Sequence, residues 1–146
     1  MRLGTRLPVI LATIALTSAA AGCGARVTYT QEAEPLTLSE VESRAASFDQ
    51  SRWSATASER AAELRTRSLA SLRLRDETAT LLADLLTAEF HASRGVPVQI
   101  SETVIDGTPA WTVVEVYGPA GGSLDRRRLW VLSRPDGDVI SSSTYR

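Results

Sequence analysis

Gly95 separates two stretches whose apolar residues repeat with different periods, and this change constrains the fold more than any other feature of the chain. Ahead of it, Leu81, Leu82, Leu85, Leu86 and Phe90 recur in steps that place them on one stripe of a helix. Beyond it, Val96, Val98, Ile100 and Val104 alternate with Gln99, Ser101 and Thr103, the two-residue period of a half-buried strand. A helix-period stretch cannot hold its apolar residues on one side of a strand, and the reverse also holds. The order is therefore helices first and strands second, an α+β arrangement.

The helix before Gly95 carries its own boundaries. Asp76 is a good N-cap and Glu77 adds negative charge to the first turn. At the other end Arg94 suits the last turn, Gly95 suits a left-handed C′ position, and Pro97 prevents continuation. An earlier helix opens at Thr37-Leu38-Ser39-Glu40, which fits a capping box. Its apolar positions are Val41, Ala45 and Phe48, then less cleanly Trp53, Ala57, Ala61 and Leu64, with a predicted break or bend in the hydroxyl-rich stretch 51–58. Leu69, Leu72 and Leu74 fit either a helical continuation or a short strand.

After the first strand, Asp106-Gly107 signals a hairpin turn, which Thr108-Pro109 is expected to lengthen beyond the tightest form. Trp111, Val113, Glu115 and Tyr117 then alternate with Ala110, Thr112, Val114 and Val116. Gly118 to Gly122 reads as a flexible loop, Arg128 to Arg134 as a third strand, and Pro135-Asp136-Gly137-Asp138 as the turn into a fourth, Val139 to Tyr145. The expected architecture is two N-terminal amphipathic helices packed on one face of a four-stranded antiparallel meander, forming a single domain over 37–146.

The N-terminus has the three parts of a secretory leader: Arg2 and Arg6 without an acid, the apolar run Leu7 to Ala21, and small residues at Gly22-Cys23-Gly24. The run is shorter than the roughly 20 residues needed to span a bilayer. Ala20-Ala21-Gly22-Cys23 resembles the lipobox of bacterial lipoproteins, in which a diacylglycerol is attached to the cysteine sulfur and the leader is cut just before it. Ala20 departs from that family's preferred leucine. The resemblance implies a signal peptide over 1–22, lipidation at Cys23, and attachment to a membrane on the extracytoplasmic side of the cell envelope. The alternative is an ordinary secretory leader cut at an A-x-A site such as Ala19-Ala20-Ala21. Residues 23–36 read as the lipidated N-terminus and a flexible tether reaching roughly 20 Å if coil-like.

Charge and cysteine content exclude several classes. Without Arg2 and Arg6 the chain has 14 arginines against 17 acids, near −3, and no clustered basic surface for nucleic acid. Its single cysteine permits neither an internal disulfide nor a cysteine-based metal cage. The lone His91 has no GxSxG serine to serve and reads as a group at a helix C-terminus. Asp136 and Asp138 read as turn residues before calcium ligands. Gly118 to Gly122 lacks a nucleotide-loop spacing. Arg126-Arg127-Arg128 is either a patch for anionic headgroups, glycan or an acidic partner, or a guard at a strand start. Trp111 and Trp130 either stack in the core or line a pocket. No catalytic, cofactor or metal site assembles from these residues.

From Gly95 onward, Val96 to Thr103, Asp106-Gly107, Trp111 to Val116, Leu129 to Leu132 and Asp136-Gly137 resemble a PepSY domain, which implies regulation of an envelope protease. The helices and sheet also resemble the cone-shaped fold of the nuclear transport factor and SnoaL-like group, which implies a ligand pocket or hydrolase. The expected function is a membrane-anchored, non-enzymatic binding or accessory domain with an envelope protein partner, and the two resemblances supply the alternatives.

Overall fold

A computed structural model of the chain describes residues 27–90 and 95–146; Cys23 and His91 lie outside the described residues. The elements are β1 (Thr28–Gln31), α1 (Leu38–Ala46), α2 (Ser51–Ser54), a 3₁₀ turn (Ser58–Arg60), α3 (Ala61–Arg73), α4 (Glu77–Ala88), β2 (Val96–Ile105), β3 (Thr108–Tyr117), β4 (Arg126–Ser133) and β5 (Val139–Tyr145). The fold is α+β.

The sheet has five strands in the order β1-β2-β3-β4-β5, not four. The antiparallel meander β2 to β5 is present as expected, and β1 adds to it in parallel, with Tyr29 opposite Ile100. This overturns the reading of 28–31 as tether: Val27 and Tyr29 are buried in the core. The Thr-Tyr-Thr-Gln stretch is too short to show a period, so only its docking against β2 makes it a strand.

The helices also divide differently from the expected pair. Thr37 and Glu40 form the capping box that starts α1. The hydroxyl-rich stretch breaks the helix into α1, α2 and the 3₁₀ turn, after which α3 continues through Leu69 and Leu72. Asp76 caps α4 through Ala79 N–H at 2.8 Å. The Asp106-Gly107 turn is the tight two-residue form, with positive φ at both residues and Ile105 directly opposite Thr108. Pro109 therefore sits inside β3 and does not lengthen the loop. The expected flexible loop at 118–122 is fastened: Ser58 N–H donates to Gly122 O and Gly121 N–H to Glu59 Oε1.

Helices cover both faces of the sheet, not one. Ala110, Val114 and Val116 of β3, with Leu129 and Val131 of β4, pack with Val41, Ala45 and Trp53. The alternate residues Trp111, Val113 and Leu132 pack with Leu69, Leu72, Leu82 and Leu86. α3 joins the two sides, since Ala61 and Leu64 belong to the first cluster and Leu69 and Leu72 to the second. β3 is consequently buried along nearly its whole length, which is why its sequence is apolar at successive positions.

Gly95 serves a different purpose from the expected left-handed cap. A Cβ there would stand 2.5 Å from Glu115 Oε2 and 2.9 Å from Glu115 Cβ. The glycine lets the start of β2 pass against a buried carboxylate on β3. Gly95→Ala is expected to displace Glu115 and lower stability by about 1–3 kcal/mol, read as a lower urea midpoint with unchanged slope.

Candidate functional site

Strand alternation builds the candidate site. In β4, Arg127, Leu129 and Val131 face α1, whereas Arg128 and Trp130 face the other way. The arginine run is thus split between the two faces. Arg127 is structural: its Nε donates to Ala45 O at 2.9 Å, its Nη2 to Ala46 O, and its Nη1 to Gln50 Oε1 at 3.0 Å. These bonds satisfy carbonyls at the C-terminal end of α1, where a cation also suits the helix dipole.

Arg128 and Trp130 instead line an open groove of about 740 Å³ with Leu85, Glu89 and Phe90 from the end of α4 and Asp136 to Val139 from the β4–β5 turn. Phe90 meets Trp130 edge-on, with ring centroids 5.1 Å apart and planes at 66°. The Arg128 guanidinium carbon lies 4.6 Å from the Tyr117 ring centroid and 5.3 Å from that of Trp130. Both aromatic faces attract the cation, and no carboxylate pairs with Arg128 among the described residues. Val139 is 50% exposed beside this floor, while Glu89, Asp136 and Asp138 are exposed at the rim. Gly137 has φ 79°, and a Cβ there would strike Leu85 at 2.3 Å. The turn therefore closes directly onto α4.

A buried ion pair holds Trp130 in place. Trp130 Nε1 donates to Glu115 Oε2 at 2.9 Å, and Arg65 Nη1 donates to Glu115 Oε1 at 2.7 Å. Arg65 Nη1 also reaches Gly95 O, and its Nη2 reaches Leu86 O and Phe90 O. One arginine therefore positions the end of α4, the start of β2 and, through Glu115, the indole that floors the groove.

A second polar cluster sits at the other edge of the sheet. The Tyr29 hydroxyl donates to Glu102 Oε1, while Arg134 Nη1 and Gln31 Nε2 reach Glu102 Oε2 at 3.1 and 3.4 Å. Burial, followed by the hydrogen bond to Glu102, pushes the Tyr29 phenol well above its ordinary value. Because both Glu102 oxygens are engaged by neighbouring side chains, the cluster joins β1 to β2 and to the end of β4.

Trp111, read with Trp130 as either core or pocket, is fully buried in the core, and only Trp130 reaches the groove. Asp136 and Asp138 form the turn as expected and also border the groove. Cys23 and His91 lie outside the described residues. The sequence reading missed Arg65, Glu102 and Tyr29 as partners, although one signal was visible: Glu115 shares its strand face with Trp111 and Val113 and so must point inward. Among the described lining residues there is no Ser, Thr, Cys or His. An aromatic floor, one guanidinium and three rim carboxylates suit recognition of an amphipathic ligand.

Tyr29 generates a pH prediction. The native state keeps a phenolic proton that the unfolded chain releases near pH 10, so this contribution to stability is whole below that pH and is lost as pH rises above it. Between about pH 9 and about pH 11 the urea midpoint is expected to fall, and Tyr29→Phe to fall less steeply over the same interval. Equal slopes in the two proteins would refute the assignment. Comparison with known proteins finds no family model that matches the chain, and no matching curated sequence or solved structure.

Proposed function

We propose that this chain is an exported lipoprotein held at an envelope membrane through Cys23, with a domain that binds a partner or ligand in the Trp130 groove without catalysing a reaction. The observation that carries the anchor is the position of the only cysteine in the chain, directly after a basic, then apolar, then small-residue leader. A thiolate is the nucleophile that thioether formation requires. Two or three acyl chains anchor a protein stably where a single chain does not. Membrane attachment then needs no spanning helix, and among the described residues no helix is long and apolar enough to cross a membrane.

The groove carries the binding half of the proposal. Its floor is held rigid from beneath by Glu115 and Arg65, the preorganisation that recognition favours. Arg128 offers a guanidinium with two aromatic neighbours and no described acidic partner. The half-exposed Val139 supplies apolar surface beside it.

Two measurements test the two halves separately. Mass spectrometry of the mature N-terminus is expected to find a diacylglyceryl-modified Cys23 as the first residue, and Cys23→Ser to abolish the modification. An unmodified Cys23, or a mature chain starting elsewhere, contradicts the anchor. Mild cross-linking and co-purification of the lipidated protein is expected to recover a reproducible partner that is lost at least tenfold in Arg128→Glu while folding is kept. Recovery unchanged by Arg128→Glu would move the binding surface away from the groove. Turnover of an envelope substrate with no partner would favour the hydrolase alternative.

A further inference from the structure

The most exposed large hydrophobic side chain among the described residues is Leu74, at 87% of its accessible surface. It stands in the turn between α3 and α4, flanked by the exposed Arg73 and Arg75. This turn is docked on the first strand. The Arg75 guanidinium lies 5.1 Å from the Tyr29 ring centroid, and its Nη2 donates to Tyr29 O at 3.3 Å. Leu81, 46% exposed, lies in the first half of α4. The remaining exposed large hydrophobics, Val139 and Ile140, belong to β5, the opposite edge of the sheet.

The distance from the proposed anchor is short. Only residues 24–26 separate Cys23 from Val27, which is already buried in the core. Four Cα-to-Cα steps span at most about 14 Å, compared with the roughly 20 Å of the tether expected from sequence. The strand that carries the Leu74 turn must therefore stay close to the bilayer surface.

We infer that the α3–α4 turn is a second contact between this domain and the membrane, with Leu74 entering the interfacial region of the lipid. This inference rests on lipidation at Cys23. Its occupant is a lipid surface because the short link confines β1 to one. A leucine buries apolar area there, while the flanking Arg73 and Arg75 are held on the domain by Asp84 and Tyr29 and fix the turn that presents it. Charge alone would not carry the contact: Arg73 pairs with Asp84, and Asp76 and Glu77 lie beside the turn. The contact is therefore expected on zwitterionic as well as anionic bilayers. It also sets an orientation, since the groove borders β4 and β5 while the anchored edge is β1.

The test uses the lipidated full chain in phosphatidylcholine vesicles, with a fluorophore on Leu74→Cys or, in a separate protein, on Val139→Cys. Both positions are at least half exposed, so the core is untouched, and lipid on Cys23 leaves the new thiol as the one available for labelling. Nitroxides on the lipid chains are expected to quench the label at 74 at least threefold more than that at 139, and aqueous iodide to show the reverse order. Equal lipid quenching at both positions would overturn the inference. So would a label at 74 shielded from iodide but unquenched by lipid, which would indicate a protein partner or second copy instead. N-terminal mass is recorded on the same sample: an unlipidated Cys23 removes the anchor and this inference together, whereas a lipidated Cys23 with equal quenching removes this inference alone.

Discussion

The buried pair of Arg65 and Glu115 is the interaction on which the rest of the structure depends. Glu115 is fully buried on the middle strand, and Arg65 reaches it from α3 at 2.7 Å. Taking these charges out of water is costly, and their mutual attraction offsets that cost only where the remaining polar atoms are satisfied. Here they are well supplied. Arg65 also bonds three carbonyls, at Leu86, Phe90 and Gly95, while Glu115 accepts the Trp130 indole. The pair thus does the work of specification: it sets where α4 ends, where β2 begins, and how the groove floor is oriented. Gly95 belongs to the same constraint, because a side chain there would occupy the space of the carboxylate.

Around this centre the sheet presents two dissimilar edges. At the β1 side, Tyr29, Gln31, Glu102 and Arg134 knit the added parallel strand to the meander, and the α3–α4 turn leans on Tyr29 through Arg75. At the β5 side, helical cover ends and the groove opens over Arg128 and Trp130. If the first edge faces lipid, as proposed, the groove lies toward the far edge. The division follows from strand order alone, since β1 and β5 are the two ends of one sheet.

Several elements were legible in the residues. Asp76 and the leucine stripe define α4, Thr37 and Glu40 define the start of α1, and the alternation after Gly95 defines the meander, because each signal is local and rests on a few neighbouring side chains. Others were not. β1 has four residues and acquires strand geometry only by pairing with β2 across more than sixty positions. Helices on both faces were hidden because a period-2 pattern with a few polar positions looks the same whether one face or two are covered; the continuous burial of β3 resolves it. The Arg126-Arg127-Arg128 run fits either a charged patch or a guard at a strand start, and strand alternation sends its members to opposite sides.

By itself the sequence determined the N-caps of α1 and α4, the change of period at Gly95, the meander and the position of the lone Cys23, all properties of residues close together in the chain. The tertiary structure alone decided that β1 joins the sheet, that Trp111 is core while Trp130 floors a groove, and that Gly95 exists to make room for Glu115. Each of these depends on which distant residues meet. Arg65 and Glu115 are fifty positions apart, and no local pattern reveals that one buried carboxylate will be shared between a helix arginine and a strand tryptophan.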